Sequence, residues 1–323
     1  MTPRIASLWL LLAALAGGQA QAAPTRPECI APAKPGGGFD LTCKLAQRAL
    51  LDGQVIDAPM RVTYMPGGIG AVAYNSVIAQ RASDPNSVVA FSSGSLLNLA
   101  LGKYGKYGVN DVRWVASIGT DYGMIAVRAD SPYRSLKALM SALRDTPERI
   151  VFGAGGTIGS QDWMKSALVA RQAGVDYRKM RYVAFEGGGE AFTALLGGHV
   201  QVVSGDIGEA AAQIDAKRVR ILAVLADQRL PGKFAAIPTA REQGYALSWP
   251  IIRGFYVGPK VSQADYDWWV SAFRKAAAAP GFAALRESRG LFPLSLDGAE
   301  LDAFVKKSVS DYQRQAREFD LVR

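Results

Sequence analysis

Short β-branched apolar runs alternate with stretches of helical period along most of the chain, the pattern of an open α/β sheet. The runs predict strands at residues 29–31, 61–64, 88–92, 150–152, 200–204 and 220–224. Between them, Leu136, Leu139, Met140 and Leu143 recur at i, i+3, i+4 and i+7. Near the start, Leu41, Leu45 and Ala49 share one face while Lys44 and Arg48 take another. Both spacings predict amphipathic helices. From Gln263 onward the period is helical, carried by Trp268, Trp269 and Phe273 and then by Leu301, Phe304 and Tyr312.

Glycines punctuate this pattern at a recurring place. Gly36-Gly37-Gly38, Gly67-Gly68-Ile69-Gly70, the stretch GAGGTIGS at 153–160 and Gly187-Gly188-Gly189 each follow a strand-like run and precede a helical one. In an open parallel sheet such connections lie at the carboxyl ends of the strands, where ligands bind. A helix begins with amides that have no intrahelical partner and with the positive end of its dipole, and glycine lets an anion approach them closely. For any single loop, an ordinary tight turn remains the alternative.

The amino terminus is read separately. Arg4, an apolar stretch over 8–16 and Ala20-Gln21-Ala22 predict a secretory leader cut after Ala22. Its apolar core is shorter than the roughly 18 residues that a spanning helix needs, and no cysteine stands at the cut where a lipoprotein would need one. The mature chain should be exported and large enough for two domains. Lys and Arg outnumber Asp and Glu by 37 to 28, a net charge of +9, which favours an anionic partner. The basic residues are scattered, without the aromatic clustering of nucleic-acid surfaces, so no nucleic-acid partner is expected.

Cys29 and Cys43 are the only cysteines. In an oxidising compartment they are a candidate disulfide, with two buried free thiols as the alternative. His199 is the single histidine and sits after a glycine pair in LLGGHV. Neither a metal site nor a histidine-based nucleophile is expected. No phosphate-binding G-x-x-x-x-G-K-[ST] and no G-x-G-x-x-G occurs, which removes the nucleotide readings. Ser92-Ser93 lack a G-x-S-x-G elbow. Asp40 and Asp206 could pose as a glycosidase carboxylate pair, but carboxylates among anion-seeking loops oppose that chemistry. Asp40 is read instead as capping the first helix or holding a bridging water. No catalytic residue and no cofactor is expected.

The stretches PAKPGGGFD, MPGGIGAVAYNSVIAQ, FGAGGTIGSQDW, VAFEGGGEAFTALLGGHVQ and IPTAREQGY, in that order, resemble the periplasmic solute-binding receptors of tripartite tricarboxylate transporters, including the Bordetella uptake receptors. ECIAPAKPGGGFDLTC looks like the tricarboxylate-binding branch. The resemblance implies an α/β two-domain periplasmic binding protein, a Venus flytrap clamp with mostly parallel sheets flanked by helices. Domain one would take residues 23–125 and 236–323, domain two residues 126–235, with crossings near 125–128 and 235–241 and the ligand in the cleft between.

By motif, a ligand carboxylate would be held by Gly36, Gly37, Gly38 and Asp40 from one side and by Gly155, Gly156, Thr157, Gly159 and Ser160 from the other. Phe39, Ser92, Ser93, Gly188 and Asp206 complete the expected lining. The chain departs from the family pattern at Lys34, Phe39, Asp162, Trp163 and Arg253. Lys34 or Arg253 is expected to meet an extra carboxylate, favouring citrate or another tricarboxylate; solvated surface charges are the alternative. The implied protein is a monomeric periplasmic receptor, not an enzyme, that delivers its ligand to small and large membrane permease subunits. A receptor of the same fold for a dicarboxylate, aromatic acid, amino acid or amide, or a sensory receptor, is the other reading.

Overall fold

The computed structural model describes residues 23–319 and residue 321; the leader expected over 1–22 lies outside them. The chain begins with β1 (Glu28–Ala31), α1 (Gly38–Asp52), β2 (Arg61–Tyr64), α2 (Ala71–Gln80), β3 (Ser87–Ser92), α3 (Ser93–Ala100) and a long β4 (Arg113–Arg128). The middle runs through α4 (Leu136–Asp145), β5 (Val151–Gly155), α5 (Gln161–Gln172), β6 (Arg181–Phe185), α6 (Gly188–Leu196), β7 (Val202–Asp206), α7 (Ile207–Asp215) and β8 (Val219–Leu225). It returns through β9 (Pro250–Val257) and ends in α8 (Gln263–Ala278), α9 (Phe282–Ser288) and α10 (Gly298–Glu318).

The strands stand in the order β2-β1-β3-β9-β4-β7-β5-β6, with β8 on the other edge of β4. Pairing is parallel among β2, β1 and β3 and among β7, β5 and β6. It is antiparallel wherever β4 or β9 takes part. β4 belongs to both halves. Its residues from Arg113 to Tyr122 pair with β9, while Gly123 onward pairs with β7 and β8.

The apolar cores sort accordingly. One pair of clusters joins residues near both chain ends, such as Cys29, Val88, Phe255 and Phe273 in one and Ile30, Phe91, Trp114 and Leu301 in the other. A second pair is built mainly from the middle, such as Leu139, Phe152 and Met164, and Phe192, Val203 and Val224. This is the two-lobed α/β clamp, with helices over both faces of a mixed sheet.

Ala240, Tyr245, Leu247 and Trp249 pack in the middle lobe, and Phe319 reaches it too, 5.3 Å from Tyr177 between ring centroids. On these contacts we place the crossings at 122/123 and 249/250, rather than near 125–128 and 235–241, and let the end of α10 strap the middle lobe.

The helix over 136–145 forms as its spacing demands: Leu136, Leu139, Met140 and Leu143 are buried, and Ser135 Oγ caps it by accepting from the Ala138 N–H at 3.1 Å. Three strands had no sequence signal strong enough to name them. Within β4, Gly119, Asp121 and Gly123 interrupt the β-branched run, and β9 carries Pro250, Arg253 and Gly254. Gly254 is bare because a side chain there would meet the Ala116 carbonyl and the Phe91 ring. β6 is largely exposed and has lost the alternation of a half-buried strand. Cys29 and Cys43 are bridged, with Cα atoms 5.6 Å apart, tying β1 to α1 on either side of the first glycine loop.

Candidate ligand-binding cleft

All four glycine clusters lie between a strand and a helix or short helical turn, and they converge on the cleft between the lobes. Gly37, Gly38 and Phe39 of the first lobe face Gly155, Gly187 and Gly188 of the second around an inner cavity of ≈ 50 Å³. An outer chamber of ≈ 300 Å³ adjoins it, lined by Gly68, Lys103, Gly156, Thr157 and Glu190. Ile69, Asn98, Ser160 and Glu186 line both. Ile69 holds this shared wall in a left-handed conformation, φ +46°, a strained choice for a β-branched residue; its carbonyl accepts from the Tyr104 hydroxyl at 2.9 Å.

The bare backbone has three tasks here, and none needs a bound molecule. A side chain on Gly189 would run into the Pro35 carbonyl and the Gly36 backbone, so the loops of opposite lobes touch main chain to main chain. A side chain on Gly38 would occupy the place of the Arg253 guanidinium, and one on Gly188 the place of the Glu209 carboxyl. Glu209, from the first turn of α7, crosses the cleft and accepts the Gly38 N–H at 2.6 Å. The carboxylate on that amide is the protein's own.

Beneath the cavity lies a buried charge network. Arg253 Nη2 donates to Asp206 at 2.6 Å and to Asp121 at 2.8 Å. Lys165 Nζ, wholly buried, lies 2.6 Å from Asp206 and 2.8 Å from Asp162, and also donates to the Gly205 carbonyl at 2.6 Å. Gln161 Nε2 donates to both Asp206 oxygens. Burial pushes Asp206 up, but Lys165 and Arg253 outweigh it and hold the group below its ordinary range. Burial wins for Asp121 and Asp162, which rise against the pull of Arg253 and Lys165. Glu209 is pushed up to about 8, by burial first and then by the charge of Asp206.

Of the residues expected from sequence, Gly37, Gly38, Phe39, Ser92, Gly155, Ser160, Gly188, Asp206 and Arg253 line the inner cavity, and Gly156 and Thr157 the outer chamber. The others have different occupations. Asp40 accepts from the Gly36 N–H at 2.9 Å, the Tyr64 hydroxyl at 2.7 Å and Lys44 at 2.9 Å, bracing the first loop from inside its own lobe. Ser93 Oγ accepts from the Ile252 N–H at 3.1 Å. Gly159 turns its loop at φ +79° beside Lys103. Lys34 is half-exposed and pairs with Glu190 of the facing lobe at 2.6 Å. It lines neither chamber, and Arg253 is already engaged by two carboxylates.

Sequence reading missed Asp121, Gln161, Lys165, Glu186 and Glu209. Glu209 had a signal: SGDIGE puts two acids three residues apart at a strand-to-helix junction, the same kind of place as the glycine loops. Among the described residues no helix is long and apolar enough to cross a membrane, and no group of three or more His, Cys, Asp or Glu is placed to hold a metal ion.

The sequence model of the tripartite tricarboxylate transporter family receptor matches residues 52–321. The chain belongs to that family. A UPF0065 protein of Bordetella pertussis is 26% identical over 310 residues, covering 95% of this chain and 93% of that protein. The periplasmic binding protein BugD superposes with a TM-score of 0.82 at 19% identity, over 93% of this receptor and 99% of that chain. MatC from Rhodopseudomonas palustris with bound malate gives 0.77 at 20% identity, over 90% and 99%. Family and fold are those of periplasmic solute-binding receptors rather than of enzymes.

Proposed function

We propose that this receptor captures a small organic carboxylate between its lobes in the periplasm, as a monomer, and delivers it to the small and large permease subunits of a tripartite transporter. The observation that carries the reading is the convergence of glycine loops and helix starts from opposite lobes on one cavity and its adjoining chamber. A ligand touching both lobes only in the shut form stabilises that form by the difference in binding.

Citrate, expected from sequence, fits this geometry less well than a carboxylate of lower charge. Arg253 was to meet the extra carboxylate, and its Nη2 is bonded to Asp121 and Asp206 instead. A trianion would also sit beside Asp162, Asp206 and Glu209. Malate, the ligand of MatC, has the charge we favour. Isothermal titration of the mature protein with citrate, malate, succinate, glutamate and nicotinate tests the reading. Saturable binding that ranks a lower-charged acid above citrate supports it. Citrate as the tightest ligand overturns the charge argument, and heat from none of them overturns the carboxylate assignment.

A further inference from the structure

We propose that Glu209 is a two-position gate: inward it occupies the Gly38 amide at the ligand cleft, and outward it turns into a separate chamber behind the first glycine loop. A ligand carboxylate gains the amide by driving Glu209 outward. The inference rests on the carboxylate-receptor reading and adds an internal competitor to it.

The inward seat holds the carboxyl by one oxygen. Glu209 Oε1 accepts the Gly38 N–H at 2.6 Å from the opposite lobe, and the absence of side chains at Gly37, Gly188 and Gly205 leaves the carboxyl its place. Its other oxygen, Oε2, is buried there and receives no hydrogen bond, which costs the inward position free energy. The remaining unpaired groups of the inner cavity are Gln161 Oε1, Glu186 Oε2 and the donor Arg253 Nε. They are of both signs and do not by themselves name a ligand.

The outward seat is a chamber of ≈ 380 Å³ on the far side of the same loop. Gly37, Lys44 and Arg289 line it from the first lobe, and Glu209, Asp215 and Lys233 from the second. Glu209 alone among the acids lines both this chamber and the inner cavity. Lys44 is paired with Asp40 and Lys233 with Asp215. Arg289 is exposed and, among the described residues, makes no side-chain hydrogen bond or ion pair; it stands near enough to Lys44 to oppose its charge. A carboxylate turned outward therefore meets a cation and water. One left inward would face the arriving ligand as a like charge, beside Asp121, Asp162 and Asp206.

Protonation separates the two positions. Inward, the carboxyl keeps its proton up to about 8, through burial first and then Asp206; Asp162 and Asp121 push the same way and Arg253 opposes them. Glu186 also lines the cavity side, and Asp40, Lys44, Asp215, Lys233 and Arg289 the chamber side. Glu190 of α6 is paired with Lys34, and Arg220 of β8 donates to main-chain carbonyls. Outward, in water beside Arg289, the carboxyl ionises near pH 7. Capture of an acid should thus release a proton.

Succinate and L-malate, titrated by calorimetry at pH 6 to 8 in buffers of different ionisation heat, test the gate in wild type, Glu209→Gln, Glu209→Ala, Arg289→Ala and the double alanine variant. Wild type should release close to one proton at pH 7 and gain affinity with pH by up to about tenfold per unit; both Glu209 variants should lose both effects. Glu209→Ala should bind roughly tenfold tighter than wild type, because the competitor is gone. Arg289→Ala should weaken binding in wild type but not in the Glu209→Ala background. Proton uptake, the response of a Glu209 left in place beside an arriving anion, would overturn the gate. So would looser binding by folded Glu209→Ala, or an equal effect of Arg289→Ala in both backgrounds. If no form binds either acid, the carboxylate reading fails, and the gate is judged on the Gly38 amide proton without ligand. That resonance should move upfield as pH rises through about 8, as a lost hydrogen bond does, and should not titrate in Glu209→Gln. A downfield move, or none, in wild type would overturn the gate.

Discussion

Arg253 Nη2 lies 2.6 Å from Asp206 Oδ2, a fully buried ion pair that joins β9 of the first lobe to the end of β7 in the second. The same nitrogen reaches Asp121 on the strand shared by the two lobes, so one guanidinium spans hinge and cleft. Arg253→Met should destabilise the protein by about 3–5 kcal/mol, because it takes the cation from buried Asp121 and leaves buried Asp206 to Lys165 and Gln161. Denaturant unfolding measures this, and Arg253→Met combined with Asp206→Asn should lose less than the two single changes together. Strict additivity would show that the pair is not energetically coupled.

Glu209 makes stability fall with rising pH. Its carboxyl is raised to about 8 in the fold by burial and by Asp206, against roughly 4.3 in an unfolded chain. Between those values the folded state holds the extra proton, so this group's stabilising contribution is full below about pH 4 and is lost as pH rises toward 8. The slope from this one group is at most about 1.4 kcal/mol per pH unit. Asp121 and Asp162 act in the same sense and Asp206 in the opposite one. Comparison of wild type with Glu209→Gln at each pH isolates the single residue. The variant should gain on wild type from pH 5 to pH 8, and parallel curves would refute the assignment.

Gly189→Ala should hold the clamp open. The added methyl meets backbone atoms of Pro35 and Gly36 across the cleft, which cannot rotate away as a side chain can. Both lobes keep their own cores, so unfolding should change little while the radius of gyration in solution scattering exceeds that of wild type. The nearest atoms to a methyl at Gly188→Ala are those of the Glu209 carboxyl, a flexible group, so this variant should perturb closure less. Equal scattering from both variants and wild type would mean that the loops have room to spare.

Removing the Cys29–Cys43 bridge, which joins residues 14 apart, should cost about 3 kcal/mol by the loop-entropy argument. The first glycine loop lies within the bridged segment, so Cys29→Ser with Cys43→Ser should also speed amide exchange at Gly36–Gly38. Unchanged exchange there would confine the role of the bridge to global stability.

Local patterns carried much of the architecture into the sequence. β-Branched runs marked β1, β2 and β3, the spacing of Leu136, Leu139, Met140 and Leu143 marked α4, and the glycine clusters marked the carboxyl edge of the sheet, because period and backbone freedom are local properties. β4 and β9 escaped because their glycines and charges make sense only between the lobes, where Gly254 admits the Phe91 ring and Arg253 finds Asp121 and Asp206. The content of the cleft was decided by tertiary structure alone. Gly38 and Glu209 are 171 residues apart in sequence, and no local pattern says that one will donate to the other. A glycine loop is legible as a place for a carboxylate; whose carboxylate it holds depends on which side chains the fold brings to it and on how burial sets their charge.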